Sequence, residues 1–253
     1  MIEAEIDFEE LLAELGATEQ SLASDVASAL DRDGYAILEE TIDRDLLEEL
    51  RDSFERLWTQ QRSATPTSSG KESGTRHVEG LLDRDRVFDR VYTDPRILAA
   101  VHYILRCPVR LTQLGGRDPL PGFGQQGLHA DWFARTRGEP FRVATALCLL
   151  DDFTEQNGAT RVVPGTHRLL TPPPKRLAEP GSLHPDQKII TARAGSTLLF
   201  NGHLWHSGTR NNTRLSRRVL QYSYVGRNQI RAGKVKCEAP DRLPALARYV
   251  AGV

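Results

Sequence analysis

The spacing of apolar residues predicts a mainly helical region over the first 107 residues. Four stretches carry apolar residues at helical intervals: FEELLAEL, TEQSLASDVASALDRDG, DRDLLEELRDSFERLWTQQ (43–61) and DPRILAAVHYIL (94–105). In the third stretch the apolar positions share one helical face: Leu46, Leu47, Leu50, Phe54 and Leu57. Gly34 is a suitable C-cap for the second stretch, and YAILEE after it alternates like a short strand.

From Val109 onward the pattern changes to short apolar or alternating runs. Clusters of Gly, Pro and Asn separate these runs, which is typical of a sandwich or a barrel. The runs are VRLTQL, GLHADW, FRVATALCLL, ATRVV, KIITA, STLLFN and RRVLQYSYV. The predicted fold class is therefore mostly β with flanking helices, around a double-stranded β-helix (a cupin-like jelly roll) that encloses a pocket.

The whole chain, 1–253, is interpreted as a single catalytic domain, because β-rich domains often reach about 200–250 residues. Within it we expect a mainly helical part at 1–107, the jelly-roll core at 108–228, and a C-terminal tail at 229–253 that ends in a helix. The stretch at 63–75 is rich in Ser, Thr, Gly and Pro and is predicted to be a loop, which is either a passive linker or a substrate lid. A Pro-rich insert at 171–187 is predicted to be an exposed loop at the mouth of the core.

Composition narrows the classes of function. A net charge of −1 provides no basic field for nucleic acid. No apolar run approaches the ~18–20 residues that span a bilayer, and the acidic N-terminus lacks the features of a signal peptide. The three cysteines (Cys107, Cys148 and Cys237) show no zinc spacing, and their odd number argues against a disulfide framework. We therefore expect a cytoplasmic protein with reduced thiols and neither a nucleic-acid nor a membrane partner; the sequence indicates no oligomeric state.

Candidate metal chemistry is concentrated in GLHADW and NGHLWHSG. His129 and Asp131 are two residues apart, so on a strand both side chains would point the same way. With a distal histidine, two imidazoles and one carboxylate form the ligand set of a mononuclear non-haem iron site that keeps open positions. His203 and His206 are three residues apart and would face opposite sides of a strand, so only one of them can be the distal ligand. An H-x-D pair is a weak signal when it stands alone.

The surrounding motifs resemble the phytanoyl-CoA dioxygenase family of iron(II)- and 2-oxoglutarate-dependent oxygenases. The resemblance rests on four segments in the family's order: DRDGYAILEETIDRDLLEELRDSFERLW, QQGLHADW, LLDDFTEQNGATRVVPGTHR and AGSTLLFNGHLWHSGTRNNTRLSRRVLQYSYV. It implies the jelly-roll fold, Fe(II), 2-oxoglutarate as cosubstrate, O₂, and stimulation by ascorbate. The family's distal histidine is followed by Ser-Gly and then Asn, which selects His206 and leaves His203 a structural role.

The cosubstrate's distal carboxylate requires a cation, and a guanidinium can hold both of its oxygens. Four arginines lie near the distal histidine: Arg210, Arg214, Arg217 and Arg218. The run itself does not separate Arg217 from Arg218, which would face opposite sides of a strand. The family's offset of eleven from the distal histidine selects Arg217.

Two further residues are candidate cosubstrate contacts. Gln126 resembles a family glutamine near the C1 carboxylate of 2-oxoglutarate. It lies three residues before His129, so on a regular strand the two side chains would face opposite sides, and a turn or bulge at Gly127 is required. Thr160 offers a hydroxyl to the C5 carboxylate. For both residues, the alternative is an ordinary role in a sheet.

The resemblance implies hydroxylation of a small-molecule metabolite, as in natural-product tailoring, with release of succinate and CO₂. The same chemistry can instead desaturate, epimerise or cyclise a substrate. An alternative of another class is a non-catalytic, metal-binding jelly-roll sensor, against which a carboxylate clamp argues. Related iron halogenases carry a small residue where this chain has Asp131, so halogen transfer is not expected.

Overall fold

The helices of the N-terminal region follow the predicted apolar faces. A computed structural model describes residues 8–16, 18, 22–64, 74–229 and 232–253. Most of the predicted loop at 63–75, and with it the question of a lid, lies outside the described residues, as does part of the helix predicted at 18–34. The described helices are α1 (Phe8–Glu14), α2 (Ser24–Arg32), α3 (Arg44–Ala64), α4 (Leu81–Arg84), α5 (Asp89–Tyr92), α6 (Pro95–Leu105) and α7 (Ala245–Ala251).

Helix boundaries have local causes in the sequence. Asp43 accepts the backbone N–H of Leu46 at the start of α3. Asp94 accepts two backbone N–H groups at the start of α6, with Pro95 in the first turn. After α2, Gly34 adopts a φ of 83° and donates its N–H back to the last turn, which confirms its predicted capping position.

The strands form two antiparallel sheets, as expected for a jelly roll. They are β1 (Tyr35–Leu38), β2 (Thr75–Val78), β3 (Val109–Pro119), β4 (Val143–Leu149), β5 (Thr160–Val163), β6 (Lys188–Ile189), β7 (Thr197–Asn201), β8 (Trp205–Gly208) and β9 (Val219–Gly226). The larger sheet has the order β1-β7-β4-β9-β3-β2, and the smaller sheet has the order β6-β5-β8. Both β1 and β2 come from the mainly helical part of the chain and extend the larger sheet at its two edges.

Side chains of β4 divide the interior into two layers. Ala144, Ala146 and Cys148 face the helices and join the core that α1, α3 and α6 bury against the larger sheet. Leu147 and Leu149 point to the other face, into a core shared with the smaller sheet. Because strand side chains alternate, one strand serves both layers, and the space between the sheets is reserved for a pocket.

The insert at 171–187 is exposed over most of its length but is anchored to the core. Leu177 is buried, and its carbonyl accepts the backbone N–H of Leu128 at 2.8 Å. A Cβ at Gly127 would lie 1.7 Å from the carbonyl oxygen of Ala178, so only glycine permits this approach. The insert therefore fixes the segment that carries His129 and Asp131.

Two further observations concern the cysteines and the apolar character of the helices. All three cysteines are free thiols. Within the part of the chain that the structure describes, no helix combines the length and apolar character required to cross a bilayer.

Candidate metal centre

The segment GLHADW is not the strand that its alternation predicts. It forms a single antiparallel bridge, in which His129 and His206 exchange both backbone hydrogen bonds, at 3.0 and 2.9 Å. The N–H of Asp131 reaches the carbonyl of Gly202 instead, at 2.7 Å. The backbone groups of this segment bond to different partners, so the segment is irregular. The side chains of His129 and Asp131 nevertheless point to the same side, as predicted.

His129, Asp131 and His206 converge on one point. One ligand atom from each lies within 4.8 Å of the other two. The Nε2 atom of His206 is 3.4 Å from Asp131 Oδ1, and that of His129 is 4.0 Å from the same oxygen. Two imidazole nitrogens and one carboxylate oxygen match the donor set of a non-haem iron centre with open positions. The residues present therefore fit such a metal.

Backbone carbonyls fix the orientation of both imidazoles. His129 Nδ1 lies 3.0 Å from the carbonyl of Gly127, and His206 Nδ1 lies 2.9 Å from that of Leu204. A carbonyl only accepts, so each Nδ1 carries the proton and each Nε2 presents its lone pair to the centre.

The pKa values of the three side chains are set by their burial and by their charges on one another. Burial, reinforced by the neighbouring His206, lowers the pKa of His129 to about 4, so this imidazole is neutral at pH 7. Burial alone would raise the pKa of Asp131, but His206 and a hydrogen bond from Thr145 outweigh it and lower that pKa to about 2. The pKa of His206 is raised, because Asp131 outweighs the effect of its burial. A metal cation at this centre would compete with a proton for the Nε2 lone pair of His206.

Thr145 positions the carboxylate ligand. Its Oγ1 donates to Asp131 Oδ2 at 2.7 Å and also lies 3.1 Å from the hydroxyl of Ser223. One carboxylate oxygen is thereby held by β4, and the other faces the histidines. This role could not be predicted from the sequence, because a threonine on a buried strand is ordinary.

The remaining histidines lie apart from the centre. His203 occupies the turn before β8, where its Nε2 accepts the backbone N–H of Arg142 at 3.3 Å. His102 contacts Glu9, and His167 is packed against Phe141. Among the described residues, His129, Asp131 and His206 are the one cluster of three or more potential metal ligands.

The three candidate cosubstrate contacts line one cavity with His129 and His206: Arg217, Gln126 and Thr160. Arg217 is buried, its guanidinium lies 4.9 Å from the centre of the Phe153 ring, and its backbone N–H donates to Asp118 at 2.8 Å. The cavity thus places a fixed guanidinium beside the metal-binding side chains.

Arg218 has a different environment from its neighbour. Its guanidinium donates to both oxygens of Asp151, at 2.8 and 2.9 Å, and to Glu55 at 3.1 Å. Arg210 and Arg214 are exposed. Of these four arginines, Arg217 is the one that lines the cavity.

Because the backbone between Gln126 and His129 is irregular, strand alternation does not force their side chains to opposite sides. Its Oε1 accepts the backbone N–H of Gly208 at 3.0 Å, which ties it to the residue two after His206. Thr160 lies opposite Gly208 in the pairing of β5 with β8. A Cβ at Gly208 would stand 2.7 Å from the carbonyl of Gly124, so a glycine is needed where these segments meet.

Two cavity-related arginines were not identified from the sequence. Arg117, on the inner face of β3, lines the cavity and donates to Gln221 at 3.2 Å. Arg161 lies behind the wall and is 2% exposed. Arg117 lies outside the quoted motifs, and Arg161 lies within LLDDFTEQNGATRVVPGTHR, but the motif gives it no role.

Arg161 joins three segments around the metal centre. Its Nε donates to the hydroxyl of Ser207 at 2.7 Å, and Nη2 donates to the carbonyl of Gln126 at 3.1 Å. Its Nη1 donates to the insert, to the carbonyl of Ser182 at 2.6 Å and to Gln187 at 3.1 Å. All these acceptors are neutral, and burial lowers the pKa of Arg161. Four buried or half-buried polar groups therefore depend on one guanidinium.

We expect Arg161→Met to lower the free energy of unfolding by about 2–4 kcal/mol, because it strands buried acceptors without a donor. Urea denaturation measures the change. The exposed Arg168→Met variant is the control and should stay within about 0.5 kcal/mol of wild type. Equal stability of the two variants would show that the Arg161 hydrogen bonds contribute nothing.

Comparison with known proteins places the chain among oxygenases. The family model for phytanoyl-CoA dioxygenase matches residues 30–219. The chain is 29% identical over 214 residues to the dioxygenase trt7 of Aspergillus terreus, an alignment that covers 79% of this chain and 72% of the relative.

Solved structures share the fold. HygX from Streptomyces hygroscopicus, with nickel, 2-oxoglutarate and hygromycin B bound, has a TM-score of 0.68 at 22% identity, over 86% of this chain and 92% of its own. The 2-oxoglutarate-dependent epimerase SnoN from nogalamycin biosynthesis has a TM-score of 0.64 at 23% identity, over 85% and 81%. The jelly-roll prediction is confirmed at the level of the fold.

Proposed function

Because the chain belongs to the phytanoyl-CoA dioxygenase family of iron- and 2-oxoglutarate-dependent dioxygenases, we propose that it hydroxylates a small-molecule metabolite in natural-product tailoring, converting 2-oxoglutarate to succinate and CO₂. The observation that carries the proposal is the convergence of His129, Asp131 and His206 within 4.8 Å, with both histidines lining one cavity together with Arg217. A metal triad and a buried guanidinium together suit a chelating dicarboxylate better than either does alone.

The metal is Fe(II) in this proposal, and it supplies the oxygen chemistry when bound. His129, Asp131 and His206 would hold it, the histidines through Nε2 and the aspartate through a carboxylate oxygen. The backbone carbonyls of Gly127 and Leu204 keep the two imidazoles in the required tautomer. These contacts orient both imidazoles toward the metal position.

Arg217 orients the cosubstrate. Its guanidinium pairs with the distal carboxylate of 2-oxoglutarate, and the Thr160 hydroxyl donates to the same carboxylate. Gln126 lies near the opposite, C1 carboxylate. The ring of Phe153, 4.9 Å from the guanidinium, limits its movement. Burial strengthens these charged hydrogen bonds because water is excluded from them.

The enzymatic proposal is tested by oxygen-dependent turnover. Protein loaded with Fe(II) is mixed anaerobically with 2-oxoglutarate, and formation of the chelate is followed by absorption. Air, ascorbate and a metabolite panel are then added, and succinate is quantified. We expect succinate in proportion to a product heavier by one oxygen, with ascorbate stimulating turnover. Metal binding without 2-oxoglutarate binding or succinate would support the sensor alternative instead.

Other oxidative outcomes are distinguished by the same product masses. One neighbour in fold is named an epimerase and another a carbocyclase. Epimerisation leaves the mass unchanged, and desaturation or oxidative cyclisation lowers it by two hydrogens. We propose hydroxylation as the reaction, and the mass of the product decides between it and these alternatives.

We expect no halogenated product even at saturating chloride or bromide. Asp131 fills the ligand position with a carboxylate that Thr145 anchors at 2.7 Å, so a halide meets both occupied space and negative charge. Mass spectrometry of products formed with and without halide measures this. A halogenated main product would overturn the hydroxylase assignment.

A further inference from the structure

A groove on the protein surface adjoins the metal-site cavity. It has a volume of about 370 Å³ and shares Arg117, Gln126 and Gln221 with the cavity. Its outer part is lined by His77 of β2, by Glu79 just after that strand, and by Gln113 of β3. Since ligand sites commonly measure about 300–1,000 Å³, the groove can hold a small molecule whose inner end reaches the metal centre.

The groove exists because β2 is short and β3 carries two glycines. Strand β2 ends at Val78, opposite Gly116, so β3 has no neighbouring strand on that side from Gly115 back to Gln113. A Cβ at Gly116 would meet the Phe54 ring at 2.6 Å, on the side of the helices. Gly115 pairs with Gln221 on the groove side and leaves the floor open.

The wall of the groove carries several amide side chains. Three amide side chains line it, from Gln113, Gln126 and Gln221. Among the described residues that line it there is no Phe, Tyr or Trp. An amide offers both a donor and an acceptor, as a hydroxyl does, so each amide can form two hydrogen bonds with neighbouring hydroxyls. A flat aromatic molecule would find no Phe, Tyr or Trp ring to stack on among the described lining residues.

The two ends of the groove differ in charge. At the inner end, Arg117 donates to Gln221 at 3.2 Å, which fixes this amide beside the cavity. At the outer end stands the exposed side chain of Glu79.

We propose that the substrate is a hydroxyl-rich, non-aromatic molecule of the saccharide or cyclitol class, bound along the groove by Gln113 and Gln221. Its reacting carbon lies at the Arg117 end, facing the metal centre. This inference rests on the proposed function, because it names the substrate class of the same site.

The experiment uses the full-length protein with Fe(II) and 2-oxoglutarate, without oxygen. Absorption first shows whether the 2-oxoglutarate chelate forms. The protein is then equilibrated with a mixed panel, and retained compounds are identified by affinity-selection mass spectrometry. The hydroxyl-rich half contains myo-inositol, streptamine, trehalose and kanamycin, and the flat aromatic half contains emodin, alizarin and naringenin.

We expect retention of at least one hydroxyl-rich compound and of no aromatic one. Gln113→Leu removes one amide and should weaken that retention about 5- to 100-fold, the effect of one or two hydrogen bonds. Gly115→Val, which fills the floor, should abolish it. The control is Gln156→Leu, at an exposed glutamine that does not line the groove, with unchanged retention.

Failure of the two proposals can be told apart. If the chelate does not form, the proposed function fails. If the chelate forms but aromatic compounds are retained, or no hydroxyl-rich compound is retained, the substrate class is wrong. Equal retention by Gln113→Leu and wild type would show that the Gln113 amide does not bind the substrate.

Discussion

His206→Ala is expected to abolish Fe(II) binding at micromolar metal and to reduce turnover below detection. His206 supplies one of three ligand atoms, and its imidazole is buried with Nε2 aimed at Asp131 at 3.4 Å. Loss of a hydrogen-bond partner behind a metal ligand already costs about 10–100-fold in affinity, so loss of the ligand itself should cost more. Anaerobic titration with Fe(II) measures the affinity, and succinate release measures turnover.

His203→Ala is the matched control, because this buried histidine lies three residues away on the same segment. Its Nε2 accepts a backbone N–H from Arg142, so its loss should affect stability more than metal affinity. Thermal unfolding of both variants without metal shows whether each is folded. Full activity in His206→Ala, with His203 intact, would show that the distal ligand is misassigned.

Arg217→Ala is expected to raise the KM for 2-oxoglutarate by about 30- to 1,000-fold. The loss of a charge-assisted, bidentate contact should cost on the order of 2–4 kcal/mol. Steady-state kinetics with varied 2-oxoglutarate give this value, and anaerobic absorption titration gives the binding affinity separately.

Arg218→Ala provides the contrast at the adjacent residue. Its guanidinium is hydrogen-bonded to Asp151 and Glu55, on the opposite face of the strand from the cavity. We expect a loss of about 1–2 kcal/mol in the free energy of unfolding, since the pair is only partly shielded from water, and a KM close to wild type. A larger effect of Arg218→Ala on KM would move the carboxylate clamp to that residue.

Periodicity predicted the elements that bury a continuous face. The face of Leu46, Leu50 and Phe54 identified α3, and alternation located β4 and β9. It was wrong for GLHADW, where alternation suggested a strand. Alternation records only which way side chains point, and this segment achieves the same directions with one bridge and scattered backbone partners.

The candidate metal ligands could be proposed from the sequence because their spacing is local and their chemistry is specific. The contacts that hold them could not. Thr145 is fourteen residues from Asp131, and Arg161 reaches Gln126 across 35 residues. Such contacts depend on which strands become neighbours, and a lone threonine or arginine on a strand carries no mark of its partner.

The contact between the insert and GLHADW affects how the metal centre unfolds locally. The N–H of Leu128 is bonded to Leu177, the buried residue of an otherwise exposed insert, and Arg161 is bonded to Ser182 within it. Detachment of the insert would remove support from the His129 segment, while the larger sheet and its helices keep their own core. We therefore expect the centre to open together with the insert, at a lower free energy than unfolding of the whole chain. A bound metal would oppose this opening, so occupancy of the site would regulate how often the insert detaches and is exposed to proteases.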